Sequence, residues 1–249
     1  MTPKPRNEVP AFGEVLSGVE KTSHWQEDVY KRLHANPELS FQETDTAALT
    51  ASKLEELGYD VHQGIGKTGV IAILRNGDGP TVLARADMDA LPVKENTGLP
   101  YASTRTAKND AGETVSVAHA CGHDAHVTSL LGAAEIMAKA QGSWAGTFIA
   151  LFQPAEELGD GAKAMVADGL MDLIPKPDVA FSQHVLAYPA GKIGTQIGPV
   201  LSAGDSIRIT LHGKGSHGSM PSQQRGPGRP RSGCGAKAAD GRFARNQAG

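Results

Sequence analysis

The sequence predicts an α/β fold, in which one sheet is covered by helices on both faces and is followed by the beginning of a smaller α+β domain. Short apolar runs of strand length alternate along the chain with longer segments of helical periodicity, which is the pattern of such sheets. The 249 residues are 39% hydrophobic and 20% charged. That composition is typical of a globular protein, and the length is enough to bury a sizeable core.

Helical segments open the chain. Residues 14–35 carry apolar side chains along roughly one helical face. Residues 43–59 (ETDTAALTASKLEELGY) predict a clearer helix, with Thr44 as its N-cap and Gly58 at its end. A later helix, apolar and rich in alanine, is predicted from the segment VTSLLGAAEIMAKAQ.

Strands are predicted between and after these helices. TGVIAILR and TVLARADM are expected to be adjacent strands joined by the turn NGDGP. GTFIALFQP and DVAFSQHV are apolar runs of the kind that forms buried strands. GKIGTQIG and SIRITLHGKGS are expected to be further strands, and the second of them opens another domain.

The end of the chain differs in charge and composition from the rest. Residues 222–249 hold six of the 24 Lys and Arg and one of the 27 Asp and Glu, so the preceding residues carry a balance of −8. The segment contains no Val, Ile or Leu and one aromatic residue, Phe243, so it predicts a disordered tail. Nucleic-acid binding by such a tail would need aromatic residues interleaved with the charges, and we expect no nucleic-acid partner.

A membrane protein and a disulfide scaffold are both disfavoured. No run approaches the ~18 apolar residues of a membrane span, so no membrane partner is expected. The N-terminal MTPKPRNEVPAFGEV lacks the apolar stretch of a secretory signal, and a cytoplasmic protein is expected. Cys121 and Cys234 are the only cysteines, which argues against a disulfide framework.

Acidic residues and a histidine follow three of the predicted strands. Asp87 and Asp89 follow TVLARA, Glu156 and Glu157 follow GTFIALFQP, and His184 follows DVAFSQ. In open α/β sheets, functional sites form at the carboxyl ends of the strands. We therefore expect these side chains to converge at one edge of the sheet.

The stretch HACGHDAH (residues 119–126) concentrates metal-binding side chains in a chain that has nine His and two Cys. Cys121 and His123 are two positions apart in a loop before a helix, so both can face one ion. Thiolate and imidazole suit zinc, and imidazole with carboxylate also accepts manganese. Glu157 and His184 could complete the set of ligands.

The paired Glu156 and Glu157 suggest a division of roles, in which one carboxylate binds metal and its neighbour accepts a proton from water. The competing hypothesis is a cysteine nucleophile, Cys121, with His123 as its base. Residues two apart in a tight loop point poorly at each other, and the acidic pair would then have no role. We favour the metal site.

Five motifs together resemble a known family. RLHANPELSFQE, RADMDALP, HACGHDAH, QPAEE and QHV are similar, in order and spacing, to the hippurate hydrolase and N-acyl-amino-acid amidohydrolase family of dinuclear metallopeptidases. The resemblance covers about residues 20–221. It implies a zinc-exopeptidase-like sheet, two divalent ions (manganese or zinc), and hydrolysis of the amide bond of N-acyl amino acids such as hippurate-like or N-acetyl substrates. A metallocarboxypeptidase of the same family is the alternative.

The resemblance also implies roles for individual residues. Asp89 supports a metal-binding imidazole, and His217, in GKGSHGSMP, helps to polarise the scissile carbonyl, often across a homodimer. His119 and His126 are expected to have supporting or structural roles. The implied metal ligands are Cys121, His123, Glu157 and His184, and the implied general base is Glu156.

The family pattern stops after Pro221. Reading the degenerate codons of the tail with a shift of one base permits HNSVDPVVLA from Ser222 and RLQTVVSREI from Lys237, which resemble the segment that follows this motif in the family. We infer a one-base frameshift near codon 221. The expected organisation is an incomplete metallohydrolase domain at 14–200, the start of a lid or dimerisation domain at 201–221, and an out-of-frame tail at 222–249.

This organisation has a functional consequence. A chain of this kind would lack most of the lid, the return segment of the catalytic domain, and the last metal-binding histidine that the return segment carries. We expect such a site to bind metal weakly and its sheet to expose apolar edges. A non-catalytic metal-binding fragment is therefore the second hypothesis.

Overall fold

The computed structural model describes residues 12–16 and 19–198. The chain divides into two units between Tyr188 and Pro189. The expected strand SIRITLHGKGS, His217, the lid segment at 201–221 and the tail at 222–249 lie outside the described residues.

The first unit is built on a five-stranded mixed sheet with the strand order β1-β2-β6-β3-β7, and a separate two-stranded hairpin is formed by β4 and β5. The strands are β1 Asp60–Ile65, β2 Gly69–Asn76, β3 Thr81–Asp87, β4 Thr106–Lys108, β5 Thr114–Ser116, β6 Gly146–Gln153 and β7 Val179–Ser182. The helices are α1 Phe12–Leu16, α2 Val19–Ala35, α3 Thr44–Glu56, α4 His123–Lys139, α5 Gly161–Ala167 and α6 Leu170–Leu173.

Strand β6 is the middle strand of the sheet and is buried along almost its whole length. It pairs antiparallel with β2 and parallel with β3. The prediction that β2 and β3 are adjacent is therefore wrong, because β6 lies between them. A strand that is apolar on both faces is best buried in the interior of a sheet, with a neighbour on each edge.

Alternate residues of β2 contribute to two separate cores. Val70 packs with Leu131 and Phe152 in the core that also takes apolar residues of α2, α3 and α4. Ile71 faces the opposite side and packs with Met165 of α5 in the second core, to which α6 also contributes. Helices thus cover both faces of the sheet, as the sequence predicts.

Helix α3 is capped by a side chain from outside the helix. The expectation that Thr44 is the N-cap is wrong, because Glu43 occupies that position and makes no side-chain cap. Instead the carboxylate of Glu38 accepts two backbone amides of the first turn, at 3.0 and 2.8 Å. A negative charge there is favoured by the helix dipole. The helix ends before Gly58, whose φ of 82° suits glycine, as predicted.

Strand β7 forms an exposed edge of the sheet. Among the described strands it pairs only with β3, and all four of its residues are exposed. Phe181 is the largest of them and is 60% exposed. Such an edge can accept another strand.

The prediction of a strand at GKIGTQIG is wrong. Residues 191–198 contain turns and bends but no strand, and Ile193 and Ile197 are fully exposed. Three glycines in eight residues lower the strand propensity of this segment, which its two isoleucines do not offset. Within the described part of the chain, no helix has the length and apolar character to cross a membrane.

His34 connects α2 to the start of α4. Its Nδ1 is 2.6 Å from Asp124 Oδ2 and its Nε2 is 3.1 Å from Glu95 Oε1. Both ring nitrogens can donate at once only in the imidazolium form. Burial lowers the pKa of His34, but the hydrogen bonds to Asp124 and Glu95 outweigh burial and raise that pKa above its ordinary value.

Phe152→Ala should lower the free energy of unfolding by about 3–5 kcal/mol, because the ring is fully buried and its removal leaves a cavity. Phe181→Ala, on the exposed edge strand, is the matched control and should cost less than about 1 kcal/mol. Urea unfolding followed by circular dichroism measures both. Equal losses in the two variants would contradict the packing described here.

His34→Gln should change how stability depends on pH. Because the pKa of His34 is raised on folding, its contribution is complete below the unfolded pKa of about 6.5 and is lost as the pH rises through the folded pKa. The difference in unfolding free energy between the wild type and His34→Gln should thus be largest near pH 6 and smaller at pH 9. His24→Gln, which replaces an exposed histidine of the same helix, is the matched control. A constant difference for His34→Gln across this range would refute the ion pair.

Candidate metal centre

Two strand ends bring the acidic residues together. Asp87 ends β3 and Asp89 follows it, while residues 154–157, which we call the acidic turn, follow β6. The two strands are parallel, and Asp87 lies beside Gln153, so both segments leave the sheet at the same edge. The structure therefore brings Asp89, Glu156 and Glu157 together, as expected from their positions at strand ends.

Helix α4 supplies the imidazole of the site. It begins at His123, directly after Gly122, whose φ of 80° lies in the left-handed region that favours glycine. A Cβ on Gly122 would also lie only 3.1 Å from the Cβ of Val185. Glycine at this position therefore allows Cys121 and His123 to flank a tight turn packed against the segment after β7.

The buried side chain of Asp89 links the imidazole to the acidic turn. His123 Nδ1 donates to the backbone carbonyl of Asp89 at 2.8 Å and lies 3.2 Å from Asp89 Oδ1. The carboxylate accepts the backbone amides of Glu156 and Glu157, at 3.1 and 3.0 Å, and the hydroxyl of Ser40 at 2.6 Å. Burial would raise the pKa of Asp89, but hydrogen bonds, led by those from His123 and Ser40, hold it below its ordinary value.

The other ring nitrogen of His123 faces carboxylate oxygens. His123 Nε2 and Glu157 Oε1 are both buried and have no hydrogen-bond partner among the described residues. They lie 3.8 Å apart, and Glu156 Oε2 is 3.7 Å from the same nitrogen. Within the described chain, His123, Glu156 and Glu157 form one of two groups whose ligand atoms are close enough to share an ion. Buried polar atoms without a partner are rare in proteins and require a reason.

The two glutamates differ in their exposure to solvent. The side chain of Glu157 is 19% exposed and that of Glu156 is 38% exposed. Glu157 thus directs an oxygen into the buried group, whereas Glu156 is more open to water. The predicted division of roles, with Glu157 as ligand and Glu156 as base, stays a prediction.

His123 lies in a strongly negative environment. Burial lowers its pKa, but the hydrogen bond to Asp89 and the charges of Asp87, Asp89 and Glu157 outweigh burial and raise that pKa. The position of Nε2 therefore stabilises positive charge. A proton and a divalent ion would compete for the same lone pair.

Asp87 is among the residues expected at this edge of the sheet, but the sequence predicted no specific role for it. Asp87 forms the second candidate group with His123 and His126. His126 Nδ1 donates to Asp87 Oδ1 at 2.5 Å, and His126 Nε2 accepts the amide of Val185 at 2.9 Å. Both nitrogens of His126 are thus used, which leaves no lone pair for a metal and supports the expected structural role.

Charge neutralisation explains how Asp87 can be buried. Burial raises its pKa, but the hydrogen bond from His126 and the charges of His123 and Arg85 outweigh burial and lower the pKa to about 2. The sequence does contain a pattern that indicates a role for Asp87. It lies two positions before Asp89, and residues two apart in an extended segment lie on the same side.

Cys121 lies beside the site but in neither candidate group of the described residues. Burial and a hydrogen bond to Glu157 raise the pKa of its thiol to about 12. The residue lines an open cavity of about 490 Å³ together with His184, His34 and Tyr30. The Sγ of Cys121 is thus not grouped with the His123 ring, and the expected pairing of the two residues on one ion stays a prediction.

His184 is exposed and also lies outside both groups. Its ring centroid is 4.7 Å from that of His126 and 6.0 Å from that of His123, and both contacts are edge-to-face. The structure thus brings the His184 ring to the expected edge of the sheet. No ring nitrogen of His184 lies close enough to the ligand atoms of His123, Glu156 and Glu157 to be grouped with them.

His119 and His217 take no part in the groups described above. His119 is buried, and neither of its ring nitrogens has a hydrogen-bond partner among the described residues. Burial lowers the pKa of His119 to about 4, so the ring is neutral at pH 7. His217, the expected carbonyl-polarising residue, lies outside the described residues.

Several curated proteins are similar in sequence to this chain. The hippurate hydrolase of Campylobacter jejuni is 40% identical over 223 residues, which is 89% of this chain and 53% of the relative. Thermostable carboxypeptidase 1 of Saccharolobus solfataricus is 40% identical over 213 residues, 84% of this chain and 51% of the relative. The N-acetyl-L-cysteine deacetylase of Bacillus subtilis is 39% identical over 201 residues, 78% of this chain and 44% of the relative.

Two solved structures are similar to this chain in both fold and sequence. A putative aminohydrolase from methicillin-resistant Staphylococcus aureus superposes with a TM-score of 0.62 at 33% identity, over 70% of this chain and 42% of that one. A Bacillus subtilis protein described as a dinuclear metal binding peptidase from the M20 family superposes with a TM-score of 0.58 at 35% identity, over 66% and 43%.

The family profile extends over more than half of the chain. It covers residues 83–237, which includes both candidate groups and runs beyond Pro221, so the expected boundary at that residue stays a prediction. The chain spans about half the length of the curated relatives that it matches. From the profile match and the 40% identity of these relatives, we conclude that the chain belongs to Peptidase family M20/M25/M40.

Proposed function

We propose that this chain carries the metal-binding and proton-transfer residues of an amidohydrolase that cleaves the amide bond of N-acyl amino acids. The observation that carries the proposal is the pair of buried atoms without partners, His123 Nε2 and Glu157 Oε1, which face each other 3.8 Å apart. Glu156, with its more exposed carboxylate, lies next to them.

The donor atoms fit a divalent ion such as zinc or manganese. Metal bonds to imidazole and carboxylate are about 2.0–2.2 Å long, so two atoms 3.8 Å apart can contact the same ion. His123 Nδ1 is occupied by Asp89, which leaves Nε2 as the nitrogen that can bind metal. We propose His123 and Glu157 as ligands, and Cys121 and His184, which border the same site, as further ligands.

When bound, a divalent ion polarises a carbonyl oxygen and makes water more acidic. Glu156 is placed to accept a proton from a water molecule, because its carboxylate lies beside the ligands and opens to solvent. Asp89 holds the amide of Glu156 and the imidazole of His123 in fixed relation to each other. We keep His217 as the proposed group that polarises the scissile carbonyl.

The names of the relatives support the substrate class. Two of them, a hippurate hydrolase and an N-acetyl-L-cysteine deacetylase, are named for the removal of an acyl group from an amino acid. A carboxypeptidase is the alternative, supported by the relatives of that name from Saccharolobus solfataricus. We also propose that the site takes two ions of manganese or zinc. The same proposal includes a homodimeric assembly.

A non-catalytic metal-binding fragment is the second candidate. The alignments with three of the curated relatives cover 51–53% of those relatives, so the described site is compared with only part of each of them. On this hypothesis His123 and Glu157 would still bind metal, but no substrate would be hydrolysed.

Glu156→Gln and Glu157→Gln, at neighbouring positions, should differ in their effect on metal binding. Glu156→Gln should keep the zinc or manganese affinity of the wild type and lower hydrolysis of N-benzoyl and N-acetyl amino acids by about 10²–10⁴-fold, because the proton acceptor is lost. Glu157→Gln should lower metal affinity by at least about tenfold, because a ligand is lost. Calorimetric metal titration and an amino-acid release assay on the 249-residue chain measure both.

Each result has a clear meaning. Unchanged turnover in Glu156→Gln would remove this residue as the base, and unchanged metal affinity in Glu157→Gln would remove that residue as a ligand. Metal binding without any hydrolysis by the wild-type chain would favour the non-catalytic fragment.

A further inference from the structure

Two buried carboxylates hold three successive backbone amides of the acidic turn. Asp89 accepts the amides of Glu156 and Glu157. The amide that precedes them, that of Ala155, donates to Glu43 Oε1 at 2.8 Å. Glu43 is far away in sequence, and it was not recognised as a site residue from the motif SFQE.

Glu43 connects three parts of the fold. It occupies the N-cap position of α3 and is fully buried. Its second oxygen is 2.5 Å from the hydroxyl of Thr68, the residue directly before β2. Its first oxygen reaches Ala155, in the turn after β6. The side chain therefore ties the acidic turn to a helix and to the neighbouring strand at once.

The acidic turn has a conformation that needs support. Ala155 is buried and has a φ of 45°, in the left-handed region that is unfavourable for residues other than glycine. Its carbonyl accepts the amide of Gly161 at 3.1 Å. A Cβ at Gly161 would lie 1.6 Å from the carbonyl oxygen of Pro154, so the chain packs very closely behind the turn. Removing the bond from Ala155 to Glu43 would release a strained segment.

Burying the carboxyl group of Glu43 costs free energy, which a side chain that only fills space would not require. Burial raises the pKa of Glu43 above its ordinary value, and the hydrogen bonds from Thr68 and the Ala155 amide offset only part of this effect. An apolar side chain of similar size would avoid the cost of burying a carboxyl group. What an apolar residue cannot provide is an acceptor for the Ala155 amide.

We propose that Glu43 is a positioning residue, which holds the acidic turn so that Glu156 and Glu157 are presented to His123. This inference rests on the proposed function in its second half, namely that Glu156 and Glu157 act at a metal site. Its first half, that Glu43 holds the turn, concerns the fold of the free chain and is testable without metal.

Amide hydrogen exchange of the metal-free full chain, resolved by NMR, tests the first half. In Glu43→Met, exchange at residues 155–157 should accelerate by about tenfold or more, while exchange in β6 should stay within about twofold of the wild type. Glu43→Gln keeps an acceptor oxygen for Ala155 and should restore slow exchange. Glu135→Met removes another buried glutamate, whose partners are Trp25 and Lys139, and should leave the turn unchanged.

A separate variant keeps the test decisive if Glu43→Met does not fold. Glu43→Asp retains the carboxylate but withdraws it from Ala155, and it should also accelerate exchange in the turn. Slow exchange at residues 155–157 in Glu43→Asp or Glu43→Met would overturn the proposal. Equal acceleration in Glu43→Met and Glu135→Met would also overturn it, because the effect would then be global.

Zinc titration of the same variants tests the second half. The zinc affinity of Glu43→Met should fall by about tenfold and that of Glu43→Gln should match the wild type, because the residue acts through Glu157. Unchanged affinity with a loosened turn would overturn the positioning role. Absence of zinc binding in the wild type would instead refute the proposed function, and the exchange data would still decide whether Glu43 holds the turn.

Discussion

The candidate site depends on one buried carboxylate, that of Asp89. It accepts the amides of Glu156 and Glu157 with its two oxygens, while its backbone carbonyl accepts the His123 ring. The imidazole and the acidic turn come from segments that are separated in sequence by more than 30 residues. A single residue therefore contacts both the imidazole and the acidic turn, whose nitrogen and oxygens face each other. Burial opposes the ionisation of Asp89, but the hydrogen bonds from His123 and Ser40 lower its pKa, so the carboxylate keeps its negative charge at pH 7.

The sheet order makes this arrangement possible. Strands β3 and β6 are parallel neighbours, so Asp89 and the acidic turn emerge side by side. The tight packing of β6 between β2 and β3 fixes the point at which the turn begins. Gly122 allows α4 to begin close to the segment after β7. The apolar core and the polar site are thus two consequences of the same strand order, which agrees with the general placement of sites at strand ends.

The sequence predicted the elements better than their arrangement. Apolar runs identified β2, β3, β6 and β7, and the motifs pointed to His123, Glu156 and Glu157. Local patterns could not show that β6 lies between β2 and β3, because strand order depends on which apolar surfaces are buried together. The same limit explains why Glu43 was missed: its partner Ala155 lies 112 positions away, and only the folded chain reveals the contact. At GKIGTQIG, the apolar residues predicted a strand, but the glycines disfavour one and the segment contains no strand.

The central claim is that His123 Nε2 and Glu157 Oε1 face each other because they share a metal ion. Crystals of the chain grown with zinc, with anomalous diffraction recorded at the zinc absorption edge, test this claim most directly. The account predicts an anomalous peak within bonding distance of both atoms, about 2.0–2.2 Å from each. A map without a peak between these atoms, or with zinc held only by surface groups, would contradict it.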